Sequence, residues 1–158
     1  MKKIPDTLFH RAYKLAHAGL TVFAFLFRPA VRGVNVVIRG EGGLLLVKNS
    51  YRRGYTFPGG YVRGGEKPRA AAVRELKEEV GITAYPNQLR HARQYRFTVC
   101  YRRETVDIFE MTLEKDTPIS IDNREVVWAG FVPSESILLQ GLCLPAEAYL
   151  RDVARTNR

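Results

Sequence analysis

Glu75, Glu78 and Glu79 stand at i, i+3 and i+4. On a helix that spacing gathers carboxylates on adjacent turns of one side. Like charges so placed repel by a few tenths of a kcal/mol per pair, so helix stability alone does not choose them. A solvated acidic face is the plainest use of such a pattern. A hard divalent cation reverses the sign. Mg²⁺ takes oxygen ligands, binds through a few carboxylates and leaves places for water and substrate phosphate. Upstream, Pro58-Gly59-Gly60 makes a loop whose backbone N–H groups can approach an anion closely.

The elements that must position these groups are readable. Pro68 suits a first helical turn, where its missing N–H costs nothing. Ala70, Ala71, Ala72 and Leu76 favour helix, and Gly81 is a natural C-terminal stop. The spacing predicts a helix from about Pro68 to Val80. Val73, Leu76 and Val80 share its apolar face, with the glutamates roughly opposite.

The full stretch reads Gly60, five residues, Glu66, seven residues, then Arg74-Glu75-Leu76-Lys77-Glu78-Glu79-Val80-Gly81-Ile82. It resembles the Nudix hydrolase signature, G-x5-E-x7-R-E-U-x-E-E-x-G-U with U a bulky aliphatic, at every specified position. A chance match in a chain this long is below roughly one in a million at average residue usage. The resemblance implies an α/β Nudix fold, a mixed sheet sandwiched between helices. It also implies hydrolysis of a diphosphate linkage in a nucleoside diphosphate derivative. Mg²⁺ is the expected cofactor, with Mn²⁺ as a substitute.

Carried over by motif position, Glu75, Glu78 and Glu79 are the implied metal ligands, joined by the backbone carbonyl of Gly60. Glu75 or Glu79 would also orient or deprotonate water. Arg74 and Glu66 are implied to brace loop against helix, and Gly60 and Gly81 to fix backbone shape. Some family members take a general base from outside the motif. Asp107, Glu110, Asp122 and Glu125 are the acids on offer, and loop position favours Asp122 or Glu125. Glu125 enters the candidate catalytic set. Arg63 stands where many family members carry an acid.

The 158 residues carry a formal net charge of +9, with 46% hydrophobic and 26% charged residues. This is an ordinary globular composition. The charge favours polyanions without choosing among nucleotides, nucleic acid and acidic membrane surfaces. Cys100 and Cys143 are far apart and form no C-x-x-C pair. They read as reduced, buried thiols rather than a disulfide framework or zinc site.

Residues 1–28 read as an N-terminal helical segment ahead of a Nudix domain at 29–158. The run from Leu20 to Phe27 is apolar nearly all round. It is too short to span a bilayer once Arg11, Lys14 and His17 are counted. Phe27-Arg28-Pro29-Ala30 is a poor signal-peptide cleavage site. Packing on the domain or on a second copy in a homodimer is the favoured use. Peripheral membrane contact is the rival. A cytoplasmic location is expected.

Strands are expected around Val34–Ile38 and Leu44–Val47, separated by the Gly40–Gly43 turn, and at Tyr55–Phe57. Residues 91–101 and 105–113 suit a hairpin turning at Tyr101–Glu104. Val126–Phe131 suits a further strand. A short helix is expected from Pro133, and a second amphipathic helix over Pro145–Ala154. Arg52, Arg53 and Phe57 are candidate substrate contacts, with Tyr51 beside them. Arg could pair with phosphate and an aromatic could stack a base. Arg93, Tyr95 and Arg96 form a second such group. The rival functions are a non-catalytic nucleotide-binding regulator and an RNA-end pyrophosphohydrolase. The complete acidic motif speaks against the first, and the basic charge motivates the second.

Overall fold

The central strands are near-continuous apolar runs whose successive side chains point to opposite faces, and this builds two cores on either side of one sheet. The computed structural model describes residue 19 and residues 30–99, 102–121, 123–134, 136–137 and 141–156. The expected N-terminal helical segment, Cys100 and Asp122 lie outside the described residues.

In β1 (Ala30–Gly40), Val34, Val36 and Ile38 face one core and Val37 the other. In β2 (Gly43–Asn49), Leu45 and Val47 join the first core, and Leu44 and Leu46 the second. Helix α1 (Pro68–Val80) covers the first face with Ala71, Ala72, Leu76 and Val80. Each fully buried Leu or Val there contributes about 1.5–3 kcal/mol. Pro68 opens α1, and Gly81 closes it in the left-handed conformation (φ 71°), donating its N–H to the Leu76 carbonyl. The predicted bounds are met.

The remaining elements are a 3₁₀ turn at Pro86–Gln88, β3 (Arg90–Val99), β4 (Arg102–Thr112), β5 (Val126–Val132) and α2 (Leu144–Thr156). The sheet order is β3-β4-β1-β2-β5. Only β1 and β4 run parallel among its neighbouring pairs, so the sheet is mixed and lies between α1 and α2. Helix α2 covers the second face through Ala146, Tyr149, Leu150 and Val153. Among the described residues, no helix is long and apolar enough to cross a membrane.

Strands β1 and β2 share register only next to their turn, at Arg39–Leu44 and Gly40–Gly43. Beyond it the loop before α1 enters between them. Val34 N–H donates to the Gly60 carbonyl (2.9 Å) and Val36 N–H to the Pro58 carbonyl (2.8 Å). Val62 N–H donates to the Arg32 carbonyl (2.9 Å), and Val47 and Thr56 exchange both backbone bonds. Buried Asn35 adds a side-chain bond to the Phe57 carbonyl (2.9 Å). The loop is therefore held by the sheet's own backbone groups. The expected Tyr55–Phe57 strand is reduced to single bridges on this wedge.

One local expectation needs correction. Arg102, Arg103 and Glu104, expected in the hairpin turn, belong to β4, and Val99 pairs with Arg102. After Pro133 the chain turns, with Ser136 N–H on the Pro133 carbonyl (3.0 Å), and most of the short helix expected there lies outside the described residues.

Asp107 is a strand residue, almost fully buried, and does not reach the acidic motif. It accepts from Arg32 Nε (2.8 Å) and Gln94 Nε2 (2.9 Å), and pairs with His91 Nε2 (3.0 Å). Burial works to raise its pKa, but these bonds outweigh it and hold the carboxyl below its ordinary range. A depressed folded pKa contributes stability above the unfolded value near ~4, lost as pH falls through the folded one. Asp107→Asn is expected to cost about 1–3 kcal/mol at pH 7. Most of that deficit should vanish well below pH ~4. Urea unfolding across this range measures it.

Candidate active site

Wedge and helix meet at the acidic motif. Arg74 is the hub. Its Nε and Nη2 grip Glu66 at 3.0 and 3.1 Å, a bidentate pair. Nη2 also donates to the Tyr61 carbonyl (2.9 Å), and Nη1 reaches Glu75 Oε1 (2.6 Å) and Glu78 Oε2 (3.3 Å). Glu66 accepts the Arg63 N–H as well (2.9 Å). Arg74 and that N–H hold the Glu66 carboxyl down to about 2. One guanidinium thus ties α1 to the loop.

The three motif glutamates have different surroundings. Glu78 is exposed (51%), and a second guanidinium, from Arg63, meets its Oε1 at 3.4 Å. Glu75 is largely buried, and burial raises its pKa despite Arg74. Glu79 is buried, at 5% exposure, which corrects its placement opposite the apolar face. It shares the buried side of α1 with Ala72, Leu76 and Val80. Its Oε2 accepts Gly59 N–H (2.7 Å) and its Oε1 accepts Asn49 Nδ2 (3.2 Å). Burial pushes its pKa up to about 8. The Gly59 bond opposes this, and the Glu75 and Glu125 charges reinforce it.

The glycines are explained by these contacts. A Cβ on Gly60 would lie 2.5 Å from Glu75 Oε1, and one on Gly59 2.0 Å from the Val34 carbonyl oxygen. The Gly60 carbonyl already accepts Val34 N–H, so an ion would have to use its second lone pair. Glu125 lies at the start of β5's edge of the site. Its Oε1 accepts the Tyr51 hydroxyl (2.8 Å), and its carbonyl accepts Ser50 N–H (2.8 Å).

Among the described residues, no three acidic, His or Cys side chains converge on one point as a ready-made ion site. The donor set still fits a hard cation. Glu75, Glu78 and Glu79 offer only carboxylate oxygens. Arg74 Nη1 already touches both Glu75 and Glu78, so one cationic centre can be shared by two of the three.

Other expected site residues separate. Arg52 bonds Tyr61 Oη (3.3 Å) and lines a small polar cavity of about 30 Å³ with Tyr61, Glu104 and Pro145, beside Gly59 and Gly60. Arg53 is exposed, and its carbonyl accepts the Cys143 thiol. Phe57 has no exposed surface. Its ring packs edge-on against Tyr149 at 5.8 Å in the α2-side core, so no face remains to stack a base. Phe57→Ala is expected to cost about 3–5 kcal/mol by cavity formation, read as a fall in the urea midpoint. Tyr95 is pinned to α2 through Asp152 (2.7 Å). Glu110 is engaged by Arg90 and Tyr149. Sequence reasoning missed Asn35 and Asn49, whereas the Gly59 N–H comes from the loop whose backbone donors are expected to approach an anion. The signal available was a polar Asn ending or interrupting an apolar strand.

The mixed sheet lies between two helices, with a glycine loop wedged against the acid-bearing one. A family model described as "NUDIX domain" matches residues 29–153, and this chain belongs to the Nudix family. The RNA pyrophosphohydrolase of Hydrogenovibrio crunogenus is 45% identical over 56 residues, 35% of this chain and 33% of that protein. The 8-oxo-dGTP diphosphatase of Escherichia coli is 51% identical over 41 residues, 26% of this chain and 32% of that protein. These matches thus span about a third of the curated relatives' length. The crystal structure of a MutT protein from Methanosarcina mazei Go1 superposes with a TM-score of 0.71 at 25% identity, covering 84% of this chain and 98% of that one.

Proposed function

We propose that this chain is a divalent-metal-dependent pyrophosphohydrolase. Its substrate would be a nucleoside diphosphate joined to a further group, a chemistry suited to a cytoplasmic enzyme. The observation that carries the reading is the buried Glu79, locked by Gly59 and Asn49 next to Glu75. Burying a carboxylate among other acids is costly unless a cation joins them. Glu75, Glu78 and Glu79 would hold Mg²⁺ or Mn²⁺. The bound ion supplies positive charge that offsets the charge of the diphosphate.

The chain's own groups do the rest. Arg74, held by Glu66, keeps the loop and the helix in one geometry. Glycine at 60 leaves room for the Glu75 carboxylate against the loop. Glu125, oriented by Tyr51, accepts the proton of the attacking water. Arg52 pairs with a substrate phosphate oxygen from the cavity side.

A second reading, an RNA 5′-end substrate, draws on the +9 charge and on exposed Arg96 and Arg103, which line a cleft of about 430 Å³. A hydrolysis screen with product identification separates the readings. It spans nucleoside diphosphate sugars, dinucleotides, nucleoside triphosphates and 5′-triphosphorylated RNA, with and without Mg²⁺. Metal-dependent release of a nucleoside monophosphate or pyrophosphate is expected. No metal-dependent turnover on any of them overturns the enzyme reading. An RNA preference should carry a steep salt dependence.

A further inference from the structure

Glu78 is contacted by two guanidiniums of unlike character. Arg74 is 16% exposed and anchored by Glu66 and the Tyr61 carbonyl as well. Arg63 is 65% exposed, and among the described residues its guanidinium forms one ion pair, with Glu78 Oε1 at 3.4 Å. Its backbone is fixed independently, because its N–H donates to Glu66 Oε2. Gly64 and Gly65 follow it with open space around both. Arg63 is therefore a cation on a fixed root with a free head, set over the most exposed of the motif glutamates.

From this geometry we infer that Arg63 is an exchangeable counter-ion. It holds Glu78 when no metal is bound and transfers to a substrate phosphate when a metal takes Glu78. The inference rests on the reading of Glu78 as a metal ligand. A divalent ion at Glu78 repels a guanidinium a few ångströms away. Arg74 is retained by its other bonds, whereas Arg63 has little to hold it. Its released head lies beside the bound ion, where a diphosphate presents oxygens that a guanidinium can grip with two parallel bonds.

Two consequences follow from linkage. Arg63 competes with the metal for Glu78, weakening metal binding in the absence of substrate. Because the substrate takes Arg63 away from Glu78, substrate and metal bind with positive coupling, and the coupling is reciprocal. Exposed ion pairs are worth little, so the competition amounts to roughly twofold to fivefold in metal affinity, shrinking as salt rises.

The test is Mn²⁺ binding followed by electron paramagnetic resonance. It compares the full chain with Arg63→Ala, Arg63→Lys and Glu78→Gln, each with and without α,β-methylene ADP. Arg63→Ala should bind Mn²⁺ about twofold to fivefold more tightly without nucleotide. It should also lose the share of the nucleotide-dependent tightening that Arg63 supplies, again about twofold to fivefold. Arg63→Lys should keep the competition and lose part of the coupling, because an ammonium cannot make the bidentate bond. If Arg63→Ala matches the parent in both states while Glu78→Gln weakens Mn²⁺ binding, the counter-ion role is wrong and the metal site stands. If Glu78→Gln leaves Mn²⁺ binding unchanged, Glu78 is not a ligand and both readings fall.

Discussion

Glu79→Gln is expected to abolish nearly all turnover, by about 10²–10⁴-fold, while leaving the fold intact or slightly more stable. The two halves of this expectation have one cause. Glu79 is buried, and its neighbours Glu75 and Glu125 add negative charge. Without a cation, burial disfavours ionising this carboxyl, and replacing such a group by a neutral isostere is often neutral or stabilising. Gln keeps an oxygen for the Gly59 N–H, so the loop stays anchored, and its NH2 is accepted once the Asn49 amide turns its oxygen toward it. What it loses is the negative charge that a metal needs. Activity should fall and the metal-free urea midpoint should hold or rise. A variant that loses both together would indicate that Glu79 is simply part of the core. With metal present the parent should regain stability and the variant should not, because only the parent binds the ion tightly in its folded state.

Arg74→Ala is expected to move stability the other way, by about 1.5–3 kcal/mol of destabilisation. The substitution removes the three side-chain bonds that join α1 to the loop through residue 74, two to Glu66 and one to the Tyr61 carbonyl, and two more within α1, to Glu75 and Glu78. It leaves Glu66 and Glu75, at 17% and 13% side-chain exposure, without their cation. Lys cannot rescue it, since one ammonium cannot make the bidentate bond to Glu66 and still reach Tyr61 and Glu75. Urea unfolding should place Arg74→Lys well below the parent. Turnover of both variants should drop even where the protein remains folded, because the loop and the glutamates no longer share a fixed geometry. Near-parent stability in Arg74→Ala would show the brace to be an ordinary surface ion pair.

Much of this arrangement could be read from local sequence. Pro68 and Gly81 mark the helix ends because their backbone constraints act at single residues. The apolar runs at Val34–Ile38 and Leu44–Val47 mark strands because they are short and bounded by the Gly40–Gly43 turn. The Gly60-to-Ile82 spacing marks the family, whose model spans residues 29–153. The parts that escaped are those decided by distant partners. The loop's insertion between β1 and β2 depends on Val34 and Val36 finding Gly60 and Pro58, which periodicity does not encode. Glu79 lies near the border of the helix's apolar face, and only the approach of Gly59 and Asn49 turns that border inward. Phe57 reads equally well as a mouth aromatic or a core one until Tyr149, 92 positions later, packs against it. Asp107 reads as one acid among several until Arg32, His91 and Gln94 surround it.

The most direct measurement is anomalous diffraction from crystals of the chain soaked in Mn²⁺ with a non-hydrolysable nucleoside diphosphate analogue. A manganese peak bound by carboxylate oxygens of Glu75, Glu78 and Glu79 is expected, with the analogue's phosphates on the same ion. Manganese held by other residues, with Glu79 still on Gly59 and Asn49 alone, would contradict it.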